Sequence, residues 1–157
     1  MDIYNQLIKL LNENNISFRT VAHQEAKTCK EASLARNMDL CHSGKALLFK
    51  NKKNEYFMFV LPGDKAIDSK KVRNILRSSW LRFAKNEEFN DLANVPSGAL
   101  PPINGPWLPL PLYLDESFLD QEWIAFNGGI LNRSIIISVK DYFKIVTPVI
   151  SSFAKFS

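Results

Sequence analysis

The chain has 157 residues, of which 46% are hydrophobic and 23% are charged, which excludes a disordered chain and predicts one globular domain over residues 1–157. The net charge of +4 is compatible with a nucleic-acid partner without requiring one. The two cysteines and two histidines complete no CxxC pair and no metal-ligand spacing, which favours reduced thiols in a reducing compartment. No signal peptide and no apolar run of about 18 residues occurs, so we expect a cytoplasmic protein without a membrane partner.

The first half of the chain alternates the periodicities of helices and strands. Ile3, Leu7 and Leu11 recur at helical spacing. Thr28 followed by Glu31 matches the capping box that starts a helix. These patterns predict a helix over 3–13, a strand over 16–22, a helix over 28–37 packed through Ala32 and Ala35, a hairpin of strands over 45–50 and 55–61, a helix capped by Asp68, a strand over 80–84 and a helix over 86–92.

The second half begins with a loop rich in proline. Val95 to Pro111 holds six of the eight prolines, so we expect neither a helix nor a central strand there. An ordered loop of that length is often functional, and a rigid connector is the alternative. Strands over 110–114, 123–125 and 134–139 and a final helix led by Ser138 should follow. The order of elements predicts an α+β (mixed α/β) fold in a single domain, with a central, largely antiparallel mixed sheet flanked by helices.

Taken one at a time, few residues point to a reaction. No GxSxG turn marks a nucleophilic serine, and Gly44-Lys45 lacks the upstream glycine of a phosphate-binding loop. Lys45 opens an apolar strand, where an ammonium group could polarise a carbonyl or hold a phosphate. On position alone, a lysine that extends its charged end into solvent is the more common explanation. His23 could bind a ligand, but an isolated histidine more often has a structural role.

Several short segments follow one another in a recognisable order along nearly the whole chain, and together they resemble the YbaK/ProX-type aminoacyl-tRNA editing domains. Such domains also occur as an insertion in bacterial prolyl-tRNA synthetases. The matching segments are His23 followed by Thr28-Cys-Lys-Glu-Ala32, Gly44-Lys-Ala-Leu-Leu48, Val60-Leu-Pro-Gly-Asp64 with Ala66-Ile-Asp68, Gly98-Ala-Leu-Pro101, and Phe126-Asn-Gly-Gly129 leading into Ser134 to Val139 and Asp141-Tyr-Phe143.

The resemblance implies a trans-editing hydrolase that deacylates mischarged aminoacyl-tRNA without a metal or another cofactor. The amino acid would be small, such as alanine or cysteine, with tRNA-Pro as a candidate carrier. The partners would be the acceptor end of the tRNA and, in addition, an aminoacyl-tRNA synthetase. By the same resemblance Lys45 is the catalytic residue, and backbone N–H groups near Gly98 face the ester oxygen. The remaining substrate-binding candidates are His23, Thr28, Gly98, Ala99, Pro101, Asn127, Gly128 and Gly129.

The proline-rich loop departs from the pattern of the family. Members commonly read Gly-x-x-x-Pro-Phe-Gly, whereas this chain places Asn104 where a glycine is usual. Two alternatives therefore stay open beside the deacylase. The first is a non-catalytic module that holds a tRNA acceptor end or a small ligand in the same cleft. The second is a hydrolase of another small ester.

Overall fold

The computed structural model describes all 157 residues and contains five α-helices and ten β-strands. None of the helices is both long enough and apolar enough to cross a lipid bilayer. The helices are α1 (Ile3–Glu13), α2 (Cys29–Arg36), α3 (Ser69–Leu76), α4 (Asn86–Ala93) and α5 (Val139–Ile145). The strands are β1 (Arg19–Ala22), β2 (Gly44–Asn51), β3 (Tyr56–Pro62), β4 (Lys65–Ile67), β5 (Leu81–Phe83), β6 (Leu112–Asp115), β7 (Trp123–Asn127), β8 (Arg133–Ser138), β9 (Val149–Ser151) and β10 (Ala154–Phe156), with 3₁₀ turns at Leu40–His42 and Glu116–Asp120.

The strands form one mixed sheet of five strands and two smaller antiparallel sheets. The five-stranded sheet has the order β5-β2-β3-β6-β9, and the others have the orders β1-β8-β7 and β10-β4. The predicted hairpin is confirmed, because β2 and β3 pair antiparallel with Lys45 opposite Leu61. Five strand pairings are antiparallel and two are parallel, which confirms the predicted α+β fold and its largely antiparallel character.

Alternating side chains on β3 build two separate cores. Met58 and Val60 face a core of 23 buried residues, to which α1 contributes Leu7 and Leu11. Phe59 and Leu61 face a core of five buried residues that lies under α3. Successive side chains of a strand point to opposite faces, so the continuous apolar run of β3 means that both faces of this sheet are covered.

Three short strands and one packing residue differ from the prediction. β4, β9 and β10 have three residues each, too few for a recognisable pattern, and they form through partners far away in the chain. Ala35 was predicted to pack but is exposed. The buried side of α2 consists of Ala32, Ser33 and Arg36 instead, so an arginine occupies a position that faces the interior.

The proline-rich loop, residues 95–111, is ordered by its own packing and, as predicted, contains no helix and no strand of a sheet. Ala99, Ile103 and Leu108 are buried in the larger core. The hydroxyl of Tyr142 donates to the carbonyl oxygen of Pro102. Asn104 Nδ2 donates to the carbonyl oxygen of Leu110 at 2.7 Å, so the residue that departs from the family pattern closes the second half of the loop on itself.

Candidate active site

A cavity of about 440 Å³ opens between the beginning of α2, the beginning of β2 and the first half of the proline-rich loop. At the floor of this cavity, an isolated β-bridge between Ser43 and Ala125 joins the two larger sheets. Nine of its 20 lining residues are hydrophobic, and all of its charged lining residues are basic, because the lining contains no aspartate, glutamate or histidine. The basic residues of the lining are Lys27, Lys30, Arg36 and Lys45.

Lys45 lies in the wall of this cavity, at the start of β2. Its side chain is half-buried, and its ammonium group donates one hydrogen bond to the backbone carbonyl oxygen of Lys65 in β4. An ammonium group carries three donors, so two remain for a ligand in the cavity. The preceding residue must be small, because a Cβ atom on Gly44 would lie 2.9 Å from the side chain of Ile124. The fold therefore holds Lys45 at the cavity through its ammonium group, which binds Lys65, and through its backbone, which follows the closely packed Gly44.

Gly98 also lines the cavity and has a conformation that only glycine adopts easily. Its φ angle is +91°, and a Cβ atom would overlap the backbone carbonyl oxygen of Lys27. Ser97, Gly98 and Leu100 line the cavity, and their backbone N–H groups donate to no acceptor in the protein. Unpaired N–H groups at the wall of a cavity are suited to bind an oxyanion or a carbonyl oxygen.

Thr28 and Cys29 lie where α2 begins, at the edge of the cavity. The predicted helix start is confirmed, since Thr28 Oγ1 accepts a hydrogen bond from the Glu31 amide at 3.1 Å. Burial raises the pKa of the Cys29 thiol, and the positive charges of Lys45 and Arg36 oppose this rise only in part. The thiol is therefore protonated at neutral pH and is a weak nucleophile. Nowhere in the chain are three His, Cys, Asp or Glu side chains placed to hold a metal ion.

The floor of the cavity is a buried polar network around Arg36, which the sequence did not single out. Arg36 Nε donates to Ser134 Oγ at 2.7 Å, Nη1 to Ser43 Oγ at 3.2 Å and Nη2 to Asn127 Oδ1 at 3.3 Å. Burial lowers the pKa of its guanidinium group to about 10, which still leaves it charged at neutral pH. A signal was present in the sequence, because Arg36 lies four residues after Ala32 and so faces the same side of the helix.

Of the predicted site residues, Lys45, Thr28, Gly98 and Asn127 line the cavity and the other five do not. The His23 ring pairs with Ser134 Oγ at 2.7 Å, beneath the floor. Ala99 and Pro101 are buried within the proline-rich loop. A Cβ atom on Gly128 or Gly129 would meet α1 at 2.9 or 2.8 Å, so these two glycines allow the helix to approach closely. In the structure, the following five residues have packing or hydrogen-bonding roles beside the cavity and do not line it: His23, Ala99, Pro101, Gly128 and Gly129.

Two curated proteins are similar to this chain along most of its length. It is 31% identical over 157 residues to the Multifunctional Ser/Thr-tRNA deacylase ProXp-y of Escherichia coli (strain K12). The match covers 97% of this chain and 93% of that protein. It is 21% identical over 150 residues to the Prolyl-tRNA editing protein ProX of Acetoanaerobium sticklandii, which covers 93% and 92% of the two proteins.

The fold is also shared with a solved structure that is described as a candidate trans-editing enzyme for prolyl-tRNA synthetase. The TM-score is 0.83 at 22% identity, and the match covers 99% of this chain and 98% of that chain. The sequence profile of the aminoacyl-tRNA editing domain matches residues 23–145. With a profile that spans most of the chain and a relative at 31% identity, the resemblance of the motifs is confirmed, and the chain belongs to the aminoacyl-tRNA editing domain family.

Proposed function

We propose that this protein is a free-standing trans-editing deacylase that hydrolyses the ester bond between a wrongly attached amino acid and the terminal ribose of a tRNA. Water adds to the ester carbonyl carbon, the bond to the ribose oxygen breaks, and that oxygen takes up a proton. The products are a free amino acid and a tRNA with its terminal hydroxyl restored. The two curated relatives support this proposal, since both carry names of tRNA-editing proteins.

The observation that carries the proposal is that Lys45 and the Gly98 loop line the same cavity, which contains no acidic residues. Two donors of the Lys45 ammonium group are available to the ester carbonyl or to the terminal phosphate. The N–H groups of Gly98 and Leu100, which have no partner in the protein, are available to the oxygen that becomes negative when water adds. Lys27 and Lys30 place further positive charge at the entrance, where the phosphates of the acceptor end would pass.

The cavity supplies no side chain that could act as a general base at neutral pH. No aspartate, glutamate or histidine lines it, and the Cys29 thiol is protonated. We therefore assign the proton transfer to the substrate: the free ribose hydroxyl next to the ester accepts a proton from the attacking water while it passes its own proton to the leaving ribose oxygen. In this mechanism the protein supplies position and electrostatic stabilisation, which together can account for a large share of catalysis.

Serine and threonine are the first amino acids to test, with alanine and cysteine beside them. The curated relative with 31% identity is named a Ser/Thr-tRNA deacylase. Ser43 also favours a substrate with a hydroxyl group, because its Oγ accepts from Arg36 while its own hydrogen donates to no protein group. A buried donor without a partner discriminates well between substrates that can and cannot accept its hydrogen bond.

The test is a deacylation screen on seryl-, threonyl-, alanyl- and cysteinyl-tRNA, with tRNA-Pro among the carriers. We expect hydrolysis of at least one substrate and a loss of about 100-fold or more in kcat for Lys45→Ala, the range for removal of one donor to an oxyanion. Lys140→Ala is the matched control, because Lys140 is exposed on α5 and forms no ion pair.

Two results of the screen would contradict the proposal. Hydrolysis of no mischarged tRNA, together with salt-sensitive tRNA binding, would instead indicate the non-catalytic binding module. Turnover of simple esters with no activity on any tRNA would indicate a different hydrolase. Full activity of Lys45→Ala on every substrate would leave the deacylase standing and remove Lys45 from its mechanism.

An aminoacyl-tRNA synthetase remains a proposed second partner. The support is indirect: one relative is named a prolyl-tRNA editing protein, and another match of 28% identity over 92 residues is a proline–tRNA ligase. Co-purification of the tagged protein with prolyl-tRNA synthetase, in the presence and absence of tRNA, tests whether the two proteins bind each other.

A further inference from the structure

Arg36 is a buried cation that has no acidic partner. It is 7% exposed, and none of the four ion pairs in the structure includes it. Its guanidinium group is surrounded by three uncharged oxygen atoms, those of Ser43, Asn127 and Ser134. Burial of a charge without a counter-charge is costly, and an apolar side chain of similar volume would avoid that cost. The hydrogen bonds of its acceptor Asn127 indicate the role of this buried charge.

Arg36 holds the side-chain amide of one of these acceptors, Asn127, in one of its two possible orientations. Its Oδ1 accepts from Arg36 Nη2 at 3.3 Å and from Ser134 Oγ at 3.3 Å. Its Nδ2 donates to the carbonyl oxygens of Ala26 at 2.8 Å and Gly98 at 3.1 Å. A flipped amide would turn its NH₂ group toward the guanidinium and its oxygen toward two carbonyls. Arg36 therefore fixes which end of the Asn127 amide faces the Gly98 loop.

The two carbonyl groups that Asn127 binds belong to the two segments that form the entrance of the cavity. Ala26 precedes the beginning of α2, and Gly98 lies in the proline-rich loop. Other hydrogen bonds also support the proline-rich loop, among them one from the Gly129 amide to the carbonyl oxygen of Ala99 at 3.0 Å and one from the Tyr142 hydroxyl to the carbonyl oxygen of Pro102. The positions of the N–H groups of Gly98 and Leu100 thus depend on Asn127, and the orientation of Asn127 depends on Arg36.

We propose that Arg36 is the positioning residue of the site: through the amide of Asn127 it holds the Gly98 loop so that its N–H groups face the ester oxygen. The inference rests on the proposed deacylase function for its kinetic consequence. It assigns Arg36 no contact with the substrate. Its effect should appear in kcat more than in KM, because donors that face a developing oxyanion act mainly in the transition state.

Asn127→Asp separates positioning from a merely structural role. The new carboxylate gains an ion pair with Arg36, so the protein should remain folded, but its second oxygen repels the carbonyls of Ala26 and Gly98. We expect kcat on the best substrate of the screen to fall about 10- to 100-fold at pH 7.5, since misplacement by about 1 Å costs up to 100-fold.

Arg36→Lys is the second variant, because it keeps the charge but cannot donate to all three oxygens in the same geometry. We expect a fall in kcat of about 10-fold or more with a smaller change in KM. Amide hydrogen exchange supplies a readout that does not need activity: Gly129 and Ala99 should exchange faster in both variants than in wild type.

Two outcomes overturn the inference. One is wild-type kcat in folded Arg36→Lys and Asn127→Asp proteins. The other is unchanged exchange at Gly129 and Ala99, which would mean that the loop keeps its place without Arg36. If wild type hydrolyses none of the four substrates, the proposed function fails, and the exchange measurement still decides whether Arg36 holds the loop.

Discussion

At the scale of single residues, sequence patterns located the ends of elements well and the floor of the cavity poorly. Thr28 is an N-cap and Asp68 another, as their spacing predicted, because a cap depends on only a few neighbouring residues. Lys45 lies at the cavity, but only the ordered motifs around it singled it out. Arg36 was missed because its role depends on Ser134 and Asn127, which lie about a hundred positions away.

Gly98→Ala should damage the site while leaving most of the fold intact. The φ angle of +91° costs an alanine about 1–2 kcal/mol, and its Cβ would overlap the carbonyl oxygen of Lys27, so the loop must move. We expect kcat to fall about 10-fold or more in the deacylation assay. Gly105→Ala in the same loop is the matched control, since the nearest atoms to its Cβ would be those of the Trp107 side chain, and neither residue lines the cavity. Equal losses in the two variants would contradict a special role for Gly98.

Ser43→Ala should change the preference for substrates more than the overall activity. The variant removes a hydroxyl donor that lines the cavity and has no acceptor in the protein. We expect the ratio of kcat/KM for seryl-tRNA over alanyl-tRNA to fall about 10-fold, the effect of one lost hydrogen bond to the substrate. An unchanged ratio would show that the substrate side chain does not reach Ser43.

At the scale of elements, regular sequence patterns predicted the helices and the long strands. The short strands β4, β9 and β10 depend on tertiary contacts, which such patterns do not show. β3 was predictable because its apolar run is continuous, and β2 because a polar turn of four residues joins it to β3. β10 was not predictable, since it pairs with β4 across almost ninety residues. A single carboxylate orders this end of the chain: Asp115 Oδ1 accepts from the amides of Phe153 and Ala154, each at 2.8 Å.

Asp115→Asn should destabilise the attachment of β9 and β10 by about 3 kcal/mol, because the amide cannot accept all the hydrogen bonds that the carboxylate accepts. Burial alone would raise the pKa of Asp115, but hydrogen bonds from Phe153, Ser117 and Ala154 outweigh it and lower the pKa. Its contribution is therefore complete above the unfolded pKa of about 3.9 and is lost as the pH falls through the lower folded value.

Urea unfolding between pH 2 and pH 7 measures this contribution. The difference in unfolding free energy between wild type and Asp115→Asn should be constant above about pH 5 and should shrink below about pH 4. Asp120→Asn, at an exposed position in the neighbouring 3₁₀ turn, serves as the control. A difference that does not depend on pH would mean that the charge of Asp115 is not what stabilises this end.

At the scale of the whole molecule, the net charge of +4 gives little indication of function. The distribution of the charges is more informative. Four cations line one cavity without a carboxylate among them, a concentration that composition cannot reveal. The fold class was predictable because helix and strand patterns are local. The cavity was not, because it forms where the two larger sheets meet at Ser43 and Ala125, which are far apart in the chain.

Lys27→Gln and Lys30→Gln together should weaken tRNA binding and reduce its dependence on salt. Each phosphate contact to a single strand contributes about 0.7 to the slope of log K against log salt, so the slope should fall by about 1.4 if both lysines contact phosphates. The measurement is fluorescence anisotropy with labelled tRNA between about 50 and 200 mM salt, the range in which such slopes are resolved. Lys140→Gln is the control, and an unchanged slope in the double variant would place the acceptor end elsewhere.

A fragment of residues 23–145, the part that the family profile matches, should not fold cooperatively. It lacks α1, whose Leu7 and Leu11 are fully buried in the larger core, and it lacks β9 and β10. Loss of buried leucines costs about 2–5 kcal/mol each, comparable to the whole stability of a domain. Circular dichroism during heating tests this, and a sharp unfolding transition of the fragment would contradict a single domain over residues 1–157.

The hydrogen bonds around Asn127 have a consequence for the chemical lifetime of the protein. Asn127 is followed by Gly128, and in a flexible chain this pair is prone to deamidation, because the glycine nitrogen attacks the asparagine side chain. Here the Gly128 N–H donates to the carbonyl oxygen of Arg133 at 3.0 Å, and the amide of Asn127 is held on both sides. The contacts that orient the Gly98 loop thus also keep the pair from reacting, and a sample that unfolds repeatedly during storage would gradually acquire aspartate at this position.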